Sequence, residues 1–307
     1  MCQRFEPSAI NARRLRRRDR AVLEPHALPI SSSAVNPTAR NQDACQGSKE
    51  MERVLVTGAS SGIGRELALQ FAMNRNNLVL VARSRDKLEV LAEECRKTYG
   101  VEADVICADL SQEAEVRGVF EETERRGLRI DILVNNAGFG DLTRFWDQPA
   151  DRYMKTIAVN VSALTHLTRL YLPGMMERKR GRILNVASTA SFQPGPNVAV
   201  YFATKAYVLS LSEALWMELR GTGVTVTCLA PGPTKTGFGE LAHIGHTPLF
   251  RFTCWEAEPV ARIGYEATMK GKSLVIPGFV NKMLAFSSRL WPRKWVTWAT
   301  GKLHPVG

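Results

Sequence analysis

A chain of 307 residues, 45% of them apolar, is long enough to bury a sizeable core and fits one large α/β domain with tails. Its formal charge of +11 is uneven: residues 1–50 carry nine Lys and Arg against five Asp and Glu, residues 270–307 seven against none, and residues 51–269 twenty-five against twenty-five. A neutral body with basic ends argues against a nucleic-acid-binding domain, whose charge gathers on the folded recognition surface.

Residues 1–50 come first. They are rich in Arg, Ser, Pro and Asn, hold an Arg cluster from Arg13 to Arg20 and show no apolar period, so they are expected to be a disordered leader. Glu6, Asp19 and Glu24 fit an organelle transit peptide poorly, and Met51 stands directly before a strand-like run. Met51 is therefore read as the natural start, with the leader dispensable. From Val54 short β-branched or apolar runs alternate with longer amphipathic stretches. Strands are expected at Val54–Thr57, Leu78–Ala82, Asp104–Cys107, Ile132–Asn135, Arg182–Ser188, Val224–Ala230 and Ser273–Ile276. Helices are expected to begin near Gly62, Ser84, Ser111, Asp151, Ala199 and Glu256. Near-continuous apolar strands separated by helices imply a parallel sheet covered on both faces, here a Rossmann-like doubly wound α/β/α sandwich. The catalytic domain is expected over 51–272, followed by a last strand and a basic, Trp-bearing tail over 273–307.

No run of about 18 apolar residues suggests a spanning helix, and no apolar signal region opens the chain. Cys2, Cys45, Cys95, Cys107, Cys228 and Cys254 are scattered without metal-ligand spacing and read as reduced thiols of an intracellular, cytoplasmic protein.

The segment Gly58-Ala59-Ser60-Ser61-Gly62-Ile63-Gly64 follows the first strand and opens the first helix. A glycine-rich turn alone reads as well as a hairpin or a helix cap. Between a strand and a helix it reads as a phosphate cradle, whose exposed N–H groups and positive helix end meet a pyrophosphate. An NAD site usually puts a carboxylate at the end of the second strand for the ribose hydroxyl. Here Arg83 stands in that place, with Ser84 and Arg85 after it, and no acid comes before Asp86. A guanidinium suits a 2′-phosphate, so NADP(H) is favoured over NAD(H), with Ser84, Ser60 and Arg85 as helpers.

Tyr201 and Lys205 lie four residues apart, on one face of a helix. Y-x-x-x-K is common by chance, but here it joins Thr57–Gly64, Asn135-Asn136-Ala137-Gly138, Asn160, Ser188 and Pro231-Gly232 in order and at compatible spacing. In these motifs the chain from Met51 to about Thr236 resembles the classical short-chain dehydrogenases/reductases. The resemblance implies that Tyr201 exchanges a proton with the carbonyl oxygen while Ser188 holds that oxygen. Lys205 would lower the Tyr201 pKa and bind the nicotinamide ribose, and Asn160 would support a water relay to Lys205. It also maps Asp109 and Leu110 to the adenine edge, and Asn135, Ala137 and Gly138 to the adenine-ribose side, with part of that motif structural. Pro231, Gly232, Thr234 and Thr236 would bind the carboxamide and pyrophosphate. A homodimer or homotetramer is the assembly it implies.

Substrate choice is expected in the loops Phe139–Thr143, Ser191–Asn197 and Phe238–Trp255, whose aromatic and aliphatic side chains suit an apolar carbonyl or alcohol, or close a lid or an oligomer interface. His243 and His246 lack a carboxylate or Cys partner, so no metal site is expected. The tail, with Trp291, Trp295 and Trp298 among basic residues, reads as a candidate for peripheral membrane contact, for a subunit interface or for packing on its own core. The rival functions are a catalytically silent NADP(H)-binding regulator and an isomerase of the extended family.

Overall fold

Along the first two strands Val54, Val56, Leu78 and Leu80 turn to one face while Leu55, Val79 and Val81 turn to the other, and all seven are fully buried. Side chains alternate across a strand, so burial of both sets means that helices cover both faces. The computed structural model describes residues 51–236, 254–288 and 290–306. The expected leader and most of the expected Phe238–Trp255 loop, including His243 and His246, lie outside the described residues.

The strands are β1 (Arg53–Thr57), β2 (Asn77–Ala82), β3 (Ala103–Cys107), β4 (Ile132–Asn135), β5 (Gly181–Val186), β6 (Val224–Leu229), β7 (Thr234–Lys235), β8 (Trp255–Glu256) and β9 (Leu274–Val275). Seven of them form one sheet in the order β3-β2-β1-β4-β5-β6-β9 with every neighbouring pair parallel. β7 and β8 pair separately. The helices are α1 (Gly62–Met73), α2 (Arg85–Tyr99), α3 (Glu113–Arg125), α4 (Ala150–Ile157), α5 (Leu164–Glu177), α6 (Ala199–Glu218), α7 (Ala257–Met269), α8 (Phe279–Ser287) and α9 (Arg293–Leu303). α1, α2 and α7 bury Leu67, Phe71, Leu88, Leu91 and Val260 on one face of the sheet. Val116 and Val119 of α3, with Leu167, Tyr171 and Met175 of α5, cover the other. Each such fully buried side chain contributes about 1.5–3 kcal/mol relative to exposure, so the fold is held by this double core.

Each of the six expected helices starts within two residues of its place, while α5, α8 and α9 had no expected counterpart. β5, however, stops at Val186 instead of reaching Ser188. Thr189 N–H donates to Pro231 O, and Ser188 caps a 3₁₀ turn over Thr189–Phe192, so the backbone has left the ladder by then. The described residues from Met51 on form one compact unit, and β9 closes the sheet against β6. Among the described residues no helix is long and apolar enough to cross a membrane.

Candidate active site

The carboxyl ends of β1, β2, β4, β5 and β6 open on one cleft of about 470 Å³, at the point where the strand order reverses between β1 and β4. All the site residues expected from the sequence line it, except Asn135, Asn160 and the expected helper Arg85. On one side are Gly58, Ser60, Ser61, Gly62, Ile63, Gly64, Arg83, Asp109 and Leu110, followed by Ala137 and Gly138. On the other are Ser188, Tyr201, Lys205, Pro231, Gly232, Thr234 and Thr236.

The cradle suits an anion. α1 starts with no side-chain cap and no acidic residue in its first turn, so its free N–H groups face the cleft without competition. Gly62 has φ +57°, and a Cβ there would stand 2.8 Å from the Thr236 methyl, so the turn is tied to the loop after β6. Asn136, which the motif reading passed over, donates to Thr57 O and Gly58 O and so holds the cradle's backbone. These features fit the pyrophosphate of a nicotinamide dinucleotide. Arg83 lines the cleft with Ser84, the residue that precedes α2. Arg85 does not: it lies outside the lining, 3.6 Å from Glu89, and is no helper there. Asp86 falls in the first turn of α2.

Asn135 is also placed differently from the expectation. Its amide donates to Thr168 and Asn185 beneath the cleft, and Asn185 donates on to Ser212. This ladder of buried amides and hydroxyls joins β4, β5, α5 and α6, so the Asn135 side chain is structural, and its neighbours Asn136 to Gly138 face the cleft.

Between α4 and α5 the chain widens into a π turn, Ala158–Ala163. Such turns insert a residue into the helical ladder and recur at functional sites. This one aims Asn160 at the loop after β4. Its Oδ1 accepts from Phe139 N–H at 3.0 Å, while its Nδ2 donates to Phe139 O at 2.9 Å and to Thr204 Oγ1 at 3.0 Å. Asn160 thus fastens that loop to α6 between Tyr201 and Lys205, from behind the cleft wall.

The Tyr201 hydroxyl is hydrogen-bonded to Ser188. Burial pushes it up to about 12, with the Ser188 bond pulling the other way. Burial brings the Lys205 ammonium down to about 8. Lys205 Nζ donates to Val186 O at 2.7 Å and lies 5.8 Å from the centre of the Tyr201 ring. The expected lowering of the Tyr201 pKa by Lys205 is therefore not realised in this arrangement, because desolvation of the phenol outweighs an ammonium bonded elsewhere. Tyr201 therefore stays protonated at neutral pH.

The rest of the cleft is built from places where the sequence carried no signal. Thr300, Leu303 and His304 of the C-terminal segment line it beside Phe202. His304 is buried, which holds its imidazole below the usual range, and its Nδ1–H donates to Thr300 O at 3.0 Å. Its own carbonyl accepts from Asn197 Nδ2 at 2.8 Å, and Ser288 Oγ donates to Phe192 O at 3.1 Å. The tail is thereby pinned to the expected substrate loop at Ser191–Asn197. Arg152 and Lys155 of α4 also line the cleft. Arg152 is held by a bidentate pair with Asp141 at 2.9 and 2.8 Å. Among the described residues no cluster of His, Cys, Asp or Glu is suited to a metal.

The profile of the short chain dehydrogenase family matches residues 52–243. The chain is 37% identical over 192 residues to the very-long-chain 3-oxoacyl-CoA reductase of Anas platyrhynchos, covering 61% of each chain. It is 36% identical over 179 residues to the inactive hydroxysteroid dehydrogenase-like protein 1 of Homo sapiens, covering 58% of this chain and 54% of that one. The match thus spans less than two thirds of the length of these relatives. The solved short-chain dehydrogenase of Sphingobium yanoikuyae in complex with NADPH superposes with a TM-score of 0.70 at 32% identity, over 78% of this chain and 94% of that one. With its parallel sheet, its glycine cradle and this match over more than half its length, the chain belongs to the short-chain dehydrogenase/reductase family of oxidoreductases.

Proposed function

We propose that the protein is an NADP(H)-dependent oxidoreductase that interconverts a carbonyl and an alcohol on an apolar small molecule. The observation that carries this reading is the hydrogen bond between Tyr201 and Ser188 on the wall of the same cleft that holds the glycine cradle. When bound, the nicotinamide supplies or accepts the hydride. The protein's share is to orient and to move a proton. In reduction Tyr201 Oη gives its proton to the carbonyl oxygen, and the Ser188 hydroxyl donates a hydrogen bond to that same oxygen. Lys205, on the next turn of α6, binds the ribose beside the reacting carbon and holds positive charge near the phenol as its proton leaves. Asn160 positions α6 and the Phe139 loop. Arg83 reads the 2′-phosphate. Phe202, Leu303 and Val198 offer the substrate an apolar wall, and the name of the Anas platyrhynchos relative agrees with an aliphatic one. Assembly as a homodimer or homotetramer is part of the proposal.

A catalytically silent relative exists, and this favours a rival reading in which the chain binds cofactor without turnover. An intact Asn160, Ser188, Tyr201 and Lys205 set weighs for turnover. A panel of apolar ketones and aldehydes assayed with NADPH and with NADH decides. Oxidation of NADPH with at least one of them is expected; tight NADPH binding with no turnover on any of them would leave the silent reading.

Two further results are expected. Arg83→Ala weakens NADPH binding by about ten- to a hundredfold, the worth of one charge-assisted pair, and leaves NADH binding nearly unchanged. Titration of both cofactors checks it, and equal losses would show that Arg83 does not read the phosphate. The second concerns pH. Lys205 carries its charge below about 8 and loses it above, while Tyr201 stays protonated until about 12. kcat/KM for ketone reduction should therefore be flat below about pH 8 and fall about tenfold per unit above it. A pH profile with that limb abolished in Lys205→Met is the check, and an alkaline limb that survives the substitution would assign it to another group.

A further inference from the structure

α8 and α9 each carry two stripes. Inward, Asn281, Ala285 and Ser288 of the α8 segment pack toward Gly232 and Phe192, and Thr300 and His304 close the cleft. Outward, Phe279, Met283 and Phe286 follow one another at helical spacing on α8, as Trp295, Trp298 and Lys302 do along α9, with Trp291 just before it. These apolar side chains face away from the body: Phe279 is 76% exposed, Trp295 65% and Trp298 69%. Trp291 and Trp295 stack with ring centres 6.2 Å apart. The stretch from Lys270 to Gly307 holds seven Lys and Arg and no Asp or Glu.

A face of this size and composition needs an occupant. Two copies meeting through it would set like charges against each other, a disfavoured juxtaposition. An anionic bilayer complements it on both counts. Indole and phenyl rings settle at the headgroup boundary, and each nearby cation adds about fivefold in affinity for an anionic surface. Helices of 9 and 11 residues with Pro292 between them lie on a bilayer and do not cross it.

We infer that α8 and α9 dock the protein on an anionic membrane surface through Phe279, Phe286, Trp295 and Trp298, with Lys282, Arg293 and Lys294 meeting the headgroups. Because Thr300, Leu303 and His304 on the inner side of the same segment wall the cleft, the docked protein draws an apolar carbonyl or alcohol from the lipid phase. That second half rests on the oxidoreductase reading; the docking does not.

The test is sedimentation of the full chain with phosphatidylcholine vesicles and with vesicles containing about a third phosphatidylserine. Binding to the anionic vesicles alone is expected, with a blue shift of Trp fluorescence. Trp295→Ser/Trp298→Ser and Arg293→Glu/Lys294→Glu should each lower it by at least about tenfold. Both pairs are exposed and outside the cleft, so melting temperature and turnover of a short water-soluble ketone should stay parental. With a long-chain ketone carried in anionic vesicles, both pairs should raise KM and leave kcat unchanged. Absence of binding to anionic vesicles, or equal binding to both kinds, overturns the docking. So does a dimer in sedimentation equilibrium that Trp295→Ser/Trp298→Ser dissociates while vesicles bind nothing, since a second copy is then the occupant. Vesicle binding by a chain that reduces no ketone leaves the docking standing and overturns the substrate route.

Discussion

Replacing Tyr201 by Phe should lower ketone reduction by about 10²- to 10⁴-fold, the usual worth of a positioned proton donor, with loss of the bond to the carbonyl oxygen adding to it. The substitution takes away one oxygen. The ring keeps its edge contact with Phe202, 6.3 Å between centres, and α6 keeps the Thr204 bond to the residue 201 carbonyl. Folding and NADPH affinity should accordingly survive. Ser188 loses one hydrogen bond and keeps the one from Ala190 N–H, a small structural cost beside the kinetic one. The check is kcat and KM with one accepted ketone, NADPH titration and a thermal melt on the same preparation. Turnover near the parental rate would remove Tyr201 from the chemistry. Lys205→Met provides the contrast: it empties the bond to Val186 O and weakens both cofactor binding and turnover.

Gly140→Ala should be nearly as damaging to turnover although residue 140 carries no chemistry. A Cβ at that position would stand 2.5 Å from Tyr201 Cδ2 and 2.7 Å from its Cβ and Cγ, closer than real contacts allow. The ring hangs from the first turn of α6, which the Asn160 bond to Thr204 also holds, so the loop or the phenol must shift by about 1 Å. Misplacement of that order costs about a hundredfold in kcat. The cradle lies across the cleft, so NADPH affinity should change little. A kcat loss with the NADPH dissociation constant preserved is the expected pattern; parental kcat would show that the loop yields freely and that the Tyr201 position tolerates it.

The sheet was legible because its strands are fully apolar and its helices amphipathic, and a period survives in the sequence whatever packs against it. The cradle and the Tyr201–Lys205 pair were legible because turn chemistry and one helical repeat tie their members together locally, whereas Ser188 was implied by the resemblance to the family. What escaped came from contacts with no local trace. Asn135 and Asn136 are the same residue type side by side, and only the pleat decides that the first faces the buried ladder with Asn185 and the second the cradle. His304 reaches the cleft through Asn197, 107 positions away, and nothing in the composition of the tail shows which of its faces turns inward. The end of β5 was overrun because Ala187 and Ser188 are as compatible with a strand as with the turn that Pro231 O captures.

The place of β1 at the middle of the sheet has a kinetic consequence. One of its edges is satisfied early by β2, but the other pairs Val54 with Ile132, and that partner leaves the ribosome 78 residues later. Loop-closure entropy is lost before these distant contacts compensate it, which puts such a topology among slow folders. Until β4 arrives, the open edge of β1 presents the apolar run Val54-Leu55-Val56 to any other nascent strand. The strand that carries the cradle is thus also the point at which synthesis in a crowded cell is most exposed to wrong pairing, and its safety depends on how quickly the next eighty or so residues follow.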